Sequence, residues 1–253
     1  MAQLTRQELI TALVAALEPD PQVCAAYEGG SAAFGRVDEF SDLDFQIIVE
    51  DEAVERVARL VEAALAAHFT VDYRYEIPRP AWHGHYQVFY RFANASPLLL
   101  LDLCIIQRSS TNKFLEREIH GEAVVYFDKC GAALPPPLDP AAHQAGLAAR
   151  RAQCLAYFEL YSPFVIKELR RGQPVEAAAY YSGFVLGPLV DLLRMRHDPL
   201  RYNFRTRHVY QDLPAAVLAR LEPLYFPASP QELEEKYTLA CAWLRELVAS
   251  GDR

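Results

Sequence analysis

The chain has 253 residues, of which 52% are hydrophobic and 23% charged, a globular composition long enough for two modest domains or one large one. Its formal net charge of −8 argues against a protein that binds the phosphate backbone of nucleic acid, which requires a surface rich in Lys and Arg. Five cysteines without C-x-x-C spacing indicate neither a disulfide framework nor a zinc site, and they favour a reducing, cytoplasmic location.

The first predicted element is an amphipathic helix near the N-terminus. Thr5 and Glu8 have the spacing of a capping box, and Ile10, Leu13 and Leu17 recur at helical intervals. No apolar run in the sequence approaches the roughly 18 residues of a membrane span. We therefore expect a chain with no membrane association.

The first half of the chain predicts a mixed α/β sheet. Its short runs are rich in Val, Ile, Tyr and Phe, as in strands, and one segment, Glu52 to about His68, has helical periodicity. The predicted strands cover residues 23–28, 42–50, 69–77, 86–93 and 98–107.

A proline-rich segment, residues 134–140, separates this half from a helical one, because proline continues neither a helix nor a strand ladder. Beyond it the sequence predicts helices at about 142–171, 174–196 and 230–249, with a shorter one between the last two. The predicted fold is α+β, with a sheet domain at residues 1–134 and an all-α bundle domain at 135–253.

Two aspartates stand at the start of a strand that is otherwise apolar. Alternation along this strand places Leu43, Phe45 and Ile47 on one face, and Asp42 and Asp44 on the other. Neighbouring carboxylates repel each other unless a cation lies between them. Mg²⁺ suits such oxygen ligands, since it takes one or two protein carboxylates and completes its shell with water and phosphate oxygens.

A third acid, Asp102, interrupts the apolar run "LLLLDLCII". A charged side chain within a buried strand costs several kcal/mol unless it is paired, bound to a cation or solvated. Earlier in the chain, Gly30 and Ser31 follow a strand and open a short helical segment, whose free N–H groups are suited to a phosphate. A solvent-facing acid at a strand edge remains the alternative for Asp102.

These residues together resemble the nucleotidyltransferase superfamily typified by DNA polymerase β, in the small single-chain branch that includes the aminoglycoside and lincosamide nucleotidyltransferases. The matching residues are Gly30-Ser31, Gly35-Arg36, Ser41-Asp42-Leu43-Asp44 and the isolated strand residue Asp102. A phosphatase of the haloacid dehalogenase type fits less well, because here the apolar run follows the acids and leaves Gly30 and Ser31 unexplained.

The resemblance implies a metal-dependent enzyme that uses a nucleoside triphosphate, ATP by preference. Gly30 and Ser31 would contact the β- and γ-phosphates, and Asp42, Asp44 and Asp102 would hold two Mg²⁺ ions. A hydroxyl of a small, aminoglycoside-like acceptor would then attack the α-phosphorus and release pyrophosphate. Asp102 is one candidate for the general base in this step.

The sequence leaves several points open. Glu76 is a second candidate for the base. Lys167 either contacts the triphosphate, as bundle lysines do in enzymes similar to this one, or is a solvated residue near the end of a helix. A regulatory or antitoxin-type module that modifies or binds a partner protein is the alternative function, and the chain is a monomer or a homodimer. His83 and His85 are expected to mark a loop or hairpin tip.

Overall fold

A computed structural model describes residues 3–251 of the chain. It divides into two compact units, Met1–Leu138 and Asp139–Arg253. Within the described residues, no helix is both long and apolar enough to cross a lipid bilayer.

A mixed six-stranded sheet forms the centre of the first unit, in the order β3-β4-β5-β2-β1-β6. Strands β2 and β5 pair in parallel, and the other neighbours pair antiparallel. The strands are β1 (Val23–Glu28), β2 (Leu43–Val49), β3 (Val71–Glu76), β4 (Tyr86–Phe92), β5 (Leu101–Gln107) and β6 (Val124–Asp128). Five of them agree with the sequence prediction, and β6 was not predicted because it is short and lies at an edge, where its alternation is weak.

Four helices accompany the sheet: α1 (Arg6–Leu17), α2 (Gly30–Ala33), α3 (Val54–His68) and α4 (Arg117–His120). The predicted capping box at α1 is confirmed, because the Glu8 N–H donates to Thr5 Oγ1 at 3.3 Å and the Thr5 N–H donates to Glu8 Oε2 at 2.8 Å. These bonds satisfy N–H groups that the first turn of a helix leaves free.

The two faces of the sheet have different partners. One face carries Leu43, Phe45 and Ile47 and joins α1 and α3 in the main hydrophobic core of this unit. The opposite face has a smaller apolar cluster that includes Ile48 and Ile106. Because side chains alternate along a strand, the polar residues Asp44 and Asp102 are left on the face with the smaller cluster.

The second unit is helical, as predicted. Its helices are α5 (Pro140–Tyr161), α6 (Pro163–Arg170), α7 (Pro174–Tyr181), α8 (Gly187–His197), α9 (Val209–Asp212), α10 (Ala215–Leu221) and α11 (Pro230–Gly251), and a π-helical segment, Ser182–Leu186, joins α7 to α8. The prediction of one helix over 142–171 was wrong. The chain ends α5 at Tyr161 and begins α6 at Pro163, because proline has no N–H to continue the helical ladder.

Candidate active site

Asp44 and Asp102 are neighbours across the parallel strands β2 and β5. Their Cα atoms are direct partners in the register, between the pairs Leu43–Leu101 and Phe45–Leu103. Paired residues of a parallel ladder project to the same face, so the two carboxylates share one position on the sheet. The sequence predicted that this strand begins at Asp42. In the structure β2 begins at Leu43, so Asp42 lies one residue before the strand.

The electrostatics of this position are unfavourable for three negative charges. Burial, together with the charges of Asp44 and Asp42, raises the pKa of Asp102 to about 6, although a hydrogen bond from Gln87 acts in the opposite direction. Burial also raises the pKa of Asp42, against a backbone hydrogen bond with Leu100. A raised pKa in a carboxylate cluster marks a position where a cation would lower the free energy of the ionised form.

Gly30 presses its backbone against the Asp44 carboxylate. Its φ of +53° is a left-handed conformation that favours glycine, and a Cβ built there would collide with Oδ2 of Asp44 and lie 2.6 Å from its Cγ. The Gly29 N–H donates to the carbonyl oxygen of Asp44 at 3.1 Å. The turn that follows β1 is therefore in direct contact with the acid of β2.

Ser31 follows in α2, and its hydroxyl Oγ is buried without a hydrogen-bond partner among the described residues. Buried hydroxyls in proteins are nearly always bonded, so an unbonded one indicates a place for a ligand or water oxygen. At the C-terminal end of α2, the Glu122 N–H donates a hydrogen bond to the Ala33 carbonyl oxygen at 2.8 Å. Gly30 thus approaches the Asp44 carboxylate closely, and Ser31 is the next residue of the same turn. The predicted contacts of Gly30 and Ser31 with phosphates stay predictions.

Two residues at the site were not predicted. Gln87 on β4 donates from Nε2 to Oδ1 of Asp102 at 2.7 Å, and Nε2 of His83 lies 2.9 Å from Oε1 of Gln87. The alternation of β4 places Gln87 on the face that carries Asp102, and this signal was available in the sequence. The contact itself was not, because it depends on the antiparallel register of β4 with β5. His83 lies in the connection between β3 and β4, in agreement with the expected hairpin tip.

Glu76, the second candidate base, lies on the edge strand β3. Its carboxylate accepts from Nη2 of Arg74 at 2.9 Å and from the Tyr86 hydroxyl at 3.2 Å. The hydrogen bond from Arg74 holds the pKa of Glu76 below its usual range. Two strands, β4 and β5, lie between β3 and β2 in the sheet, so Glu76 is not part of the carboxylate group around Asp44.

Lys167 belongs to the second unit, on α6. Its Nζ lies 4.3 Å from the centre of the Phe164 ring and 3.9 Å from Oε1 of Glu168, and its side chain is partly exposed. The ammonium group therefore has a cation–π contact and an acidic neighbour within its own helix. Its predicted contact with a triphosphate stays a prediction.

No group of three or more His, Cys, Asp or Glu side chains between residues 3 and 251 is arranged to hold a metal ion. A ready-made centre of three protein ligands is not required for Mg²⁺, which commonly takes one or two carboxylates and completes its shell with water and substrate phosphates. Asp44 and Asp102 supply two carboxylates side by side, and the unbonded Ser31 hydroxyl lies in the adjoining turn. These residues fit a magnesium–nucleotide group better than a metal held by the protein alone.

The fold and the site together define a class: an α+β sheet domain with paired acids on adjacent parallel strands and a glycine turn against one of them. No family model and no curated protein matches the chain. Among solved structures, it is similar to an aminoglycoside 6-adenyltransferase from Bacillus subtilis, with 15% identity, a TM-score of 0.37, and coverage of 96% of this chain and 89% of the other.

Two further solved structures are similar over most of this chain. A spectinomycin adenyltransferase from Enterococcus faecialis, determined with ATP and spectinomycin, has 11% identity, a TM-score of 0.38, and coverage of 95% and 90%. A nucleotidyltransferase-like protein from Exiguobacterium sibiricum has 13% identity, a TM-score of 0.38, and coverage of 97% and 75%. The names of these proteins agree with the class that the sequence motif resembles. Similarities this distant do not assign an activity to the chain.

Proposed function

We propose that the protein is a nucleotidyltransferase that moves a nucleoside monophosphate, AMP from ATP by preference, to a hydroxyl group of a small molecule and releases pyrophosphate. The observation that carries the proposal is the side-by-side pairing of Asp44 and Asp102 next to the left-handed glycine turn at Gly30. Two neighbouring carboxylates repel each other, and this repulsion lowers the stability of the fold. A triphosphate with its bound cation offsets the loss, because the cation lies between the negative charges.

The residues divide the work as follows. Gly30 and Ser31 hold the β- and γ-phosphates through backbone N–H groups and the Ser31 hydroxyl. Asp44 and Asp102 would hold the metal together with phosphate oxygens, and Asp42 lies close enough for its charge to act on Asp102. Mg²⁺, as one or two ions when bound, offsets the negative charge on the phosphate oxygens and lowers the pKa of the attacking hydroxyl.

In the chemical step, the acceptor oxygen forms a bond to the α-phosphorus as the bond from this phosphorus to the bridging oxygen of the β-phosphate breaks. Pyrophosphate leaves with that electron pair, and the hydroxyl proton passes to the Asp102 carboxylate.

The acceptor proposed is a polyhydroxylated amine of the aminoglycoside kind. This choice follows the resemblance of the sequence motif, and the net charge of −8 favours the approach of a cationic acceptor by electrostatic steering. We propose that the first unit is the nucleotidyltransferase domain.

The test is a transfer assay with α-³²P-labelled ATP, GTP, CTP and UTP, Mg²⁺, and a panel of aminoglycosides and aminocyclitols. Asp44→Asn serves as the inactive variant. Asp72→Asn is the matched control, since Asp72 is an exposed acid of the same sheet whose nearest basic partner, Arg91, is 4.0 Å away.

Label that moves to a small molecule in the wild type and in Asp72→Asn, but not in Asp44→Asn, supports the proposal. Label that moves to a protein when cell extract is added supports the alternative, a module that modifies a partner. Absence of transfer to either, with the same result in all three proteins, overturns the assignment of an enzyme.

A further inference from the structure

The contacts between β4 and β5 show how the Asp102 carboxylate is held. Nε2 of Gln87 donates to Oδ1 of Asp102 at 2.7 Å, and Oε1 of the same amide faces Nε2 of His83 at 2.9 Å. A glutamine side chain has one end that donates and one that accepts. Both ends of Gln87 are therefore engaged, one by the carboxylate and the other by the imidazole.

The imidazole of His83 fixes the direction of this chain of hydrogen bonds. The backbone N–H of His85 donates to Nδ1 of His83 at 3.1 Å, so Nδ1 is an acceptor and the ring proton is on Nε2. Nε2 then donates to Oε1 of Gln87. A flipped Gln87 amide would direct its oxygen at an ionised carboxylate and its NH₂ at another N–H, and both contacts would be repulsive.

The position of the His83 ring is itself constrained. It stacks on His85 with ring centres 5.2 Å apart and meets Phe114 edge to face at 6.2 Å. Phe114 has a φ of +54°, a left-handed conformation that is costly for a bulky residue and that persists where the surroundings impose it. The strained Phe114 backbone and the packed rings indicate a region in which the orientation of His83 is over-determined.

We propose that Gln87 and His83 are positioning residues for Asp102: His83 selects the orientation of the Gln87 amide, and the amide holds the Asp102 carboxylate in the orientation in which it binds a metal–nucleotide complex. The inference rests on the proposed function, since it assigns Asp102 to that complex. Residues that orient a metal-binding carboxylate in this way commonly affect metal affinity by about 10- to 100-fold when they are replaced.

The test measures metal binding without the acceptor. Mn²⁺, a paramagnetic substitute for Mg²⁺, is titrated into each protein in the presence of α,β-methylene-ATP, and free Mn²⁺ is followed by electron paramagnetic resonance. Gln87→Met keeps the side-chain length but removes donor and acceptor. Gln107→Met is the matched control, because Gln107 lies on β5 but donates to the backbone oxygen of Asp51 at 3.1 Å, away from the carboxylates.

We expect Gln87→Met to weaken Mn²⁺ binding by about tenfold or more, and Gln107→Met to leave it unchanged. His83→Phe should also weaken Mn²⁺ binding. His83→Gln should bind Mn²⁺ as the wild type does, because its amide N–H can replace the Nε2 donor. If His83→Phe acted only by a general loss of structure, His83→Gln would be affected in the same way. Unfolding curves show which of the variants fold.

Two results separate the possible failures. Wild-type affinity in Gln87→Met, with binding lost in Asp102→Asn, overturns the positioning role and leaves the proposed function intact. No Mn²⁺ binding by the wild type overturns the proposed function and the metal part of the inference with it. Crystal structures of the wild type and Gln87→Met without metal test the remaining part directly, because an unchanged Asp102 rotamer in the variant contradicts the positioning role.

Discussion

Asp44 and Asp102 occupy equivalent positions on two parallel strands, as direct Cα partners in the β2–β5 ladder. In a parallel pair, such partners project to the same face at the same height. Each carboxylate therefore experiences the charge of the other, in a half-buried setting that screens charges less than water does.

The burial of Asp102, together with the charge of Asp44, should make the stability of the protein depend on pH. The pKa of Asp102 is raised to about 6 in the folded chain, whereas an unfolded aspartate has a pKa of about 3.9. The folded state thus holds this proton more tightly, and it loses stability as the pH rises from about 4 to about 6, by about 3 kcal/mol in total. Asp102→Asn has no such proton.

Urea unfolding without divalent cations, at several pH values across this window, measures the effect. The free energy of unfolding of Asp102→Asn should rise relative to the wild type as the pH increases, and the difference should become constant above the folded pKa. A difference that stays constant throughout the window would contradict the raised pKa.

Gly30→Ala should damage the site more than the fold. Alanine in a left-handed conformation costs about 1–2 kcal/mol, and at Gly30 the added Cβ also collides with the Asp44 carboxylate. Displacement of a reacting group by about 1 Å can lower a rate by about 10²-fold, so we expect a loss of transfer of this order.

Gly172→Ala is the control for the backbone cost. Gly172 has a φ of +72°, but a Cβ there meets nothing within 4 Å. The two variants should have similar free energies of unfolding in urea, and transfer should fall in Gly30→Ala alone. Equal transfer rates would show that the contact between Gly30 and Asp44 is irrelevant to the chemistry.

Glu76→Gln distinguishes the two candidate bases. Glu76 is bonded to Arg74 and Tyr86 on an edge strand, and glutamine can keep one of these bonds, so we expect the transfer rate to be nearly unchanged. Asp102→Asn should lower the rate by about 10²- to 10⁴-fold, the usual contribution of a general base. Steady-state rates at saturating ATP measure both, and a large loss in Glu76→Gln would reverse the assignment.

Arg194 should be a major contributor to the stability of the helical unit. Its side chain is fully buried on α8, and Nη1 lies 3.3 Å from Oδ2 of Asp198 and 3.2 Å from Oδ2 of Asp212. Arg194→Met removes the guanidinium between two buried carboxylates, which costs about 3–5 kcal/mol.

The control is Arg220→Met, at an exposed pair with Glu246 separated by 3.0 Å. Surface pairs of this kind contribute about 1 kcal/mol or less. Thermal unfolding should therefore separate the two variants clearly. A similar melting temperature in both would mean that the buried pairs add no more than the exposed one.

Much of the fold was predictable because its signals are local. Five strands of the sheet follow from alternation, and the capping box of α1 follows from two residues three positions apart. Helical periodicity alone was misleading near Pro163, because the periodic pattern continues from α5 into α6 and predicted a single helix. The proline interrupts the hydrogen-bond ladder there and separates the two helices.

The sequence by itself determined that acids stand in apolar strands and that a glycine turn precedes them. Tertiary structure decided which acid meets Asp44, because strand order and register are set by hydrogen bonds between segments far apart in the chain. The parallel pairing of β2 with β5 brings Asp102 to Asp44 and leaves Glu76 on an edge strand. The same non-local pairing places Gln87 opposite Cys104, two residues from Asp102 on the same face of the sheet, and no periodicity within β4 specifies its hydrogen bond to Asp102.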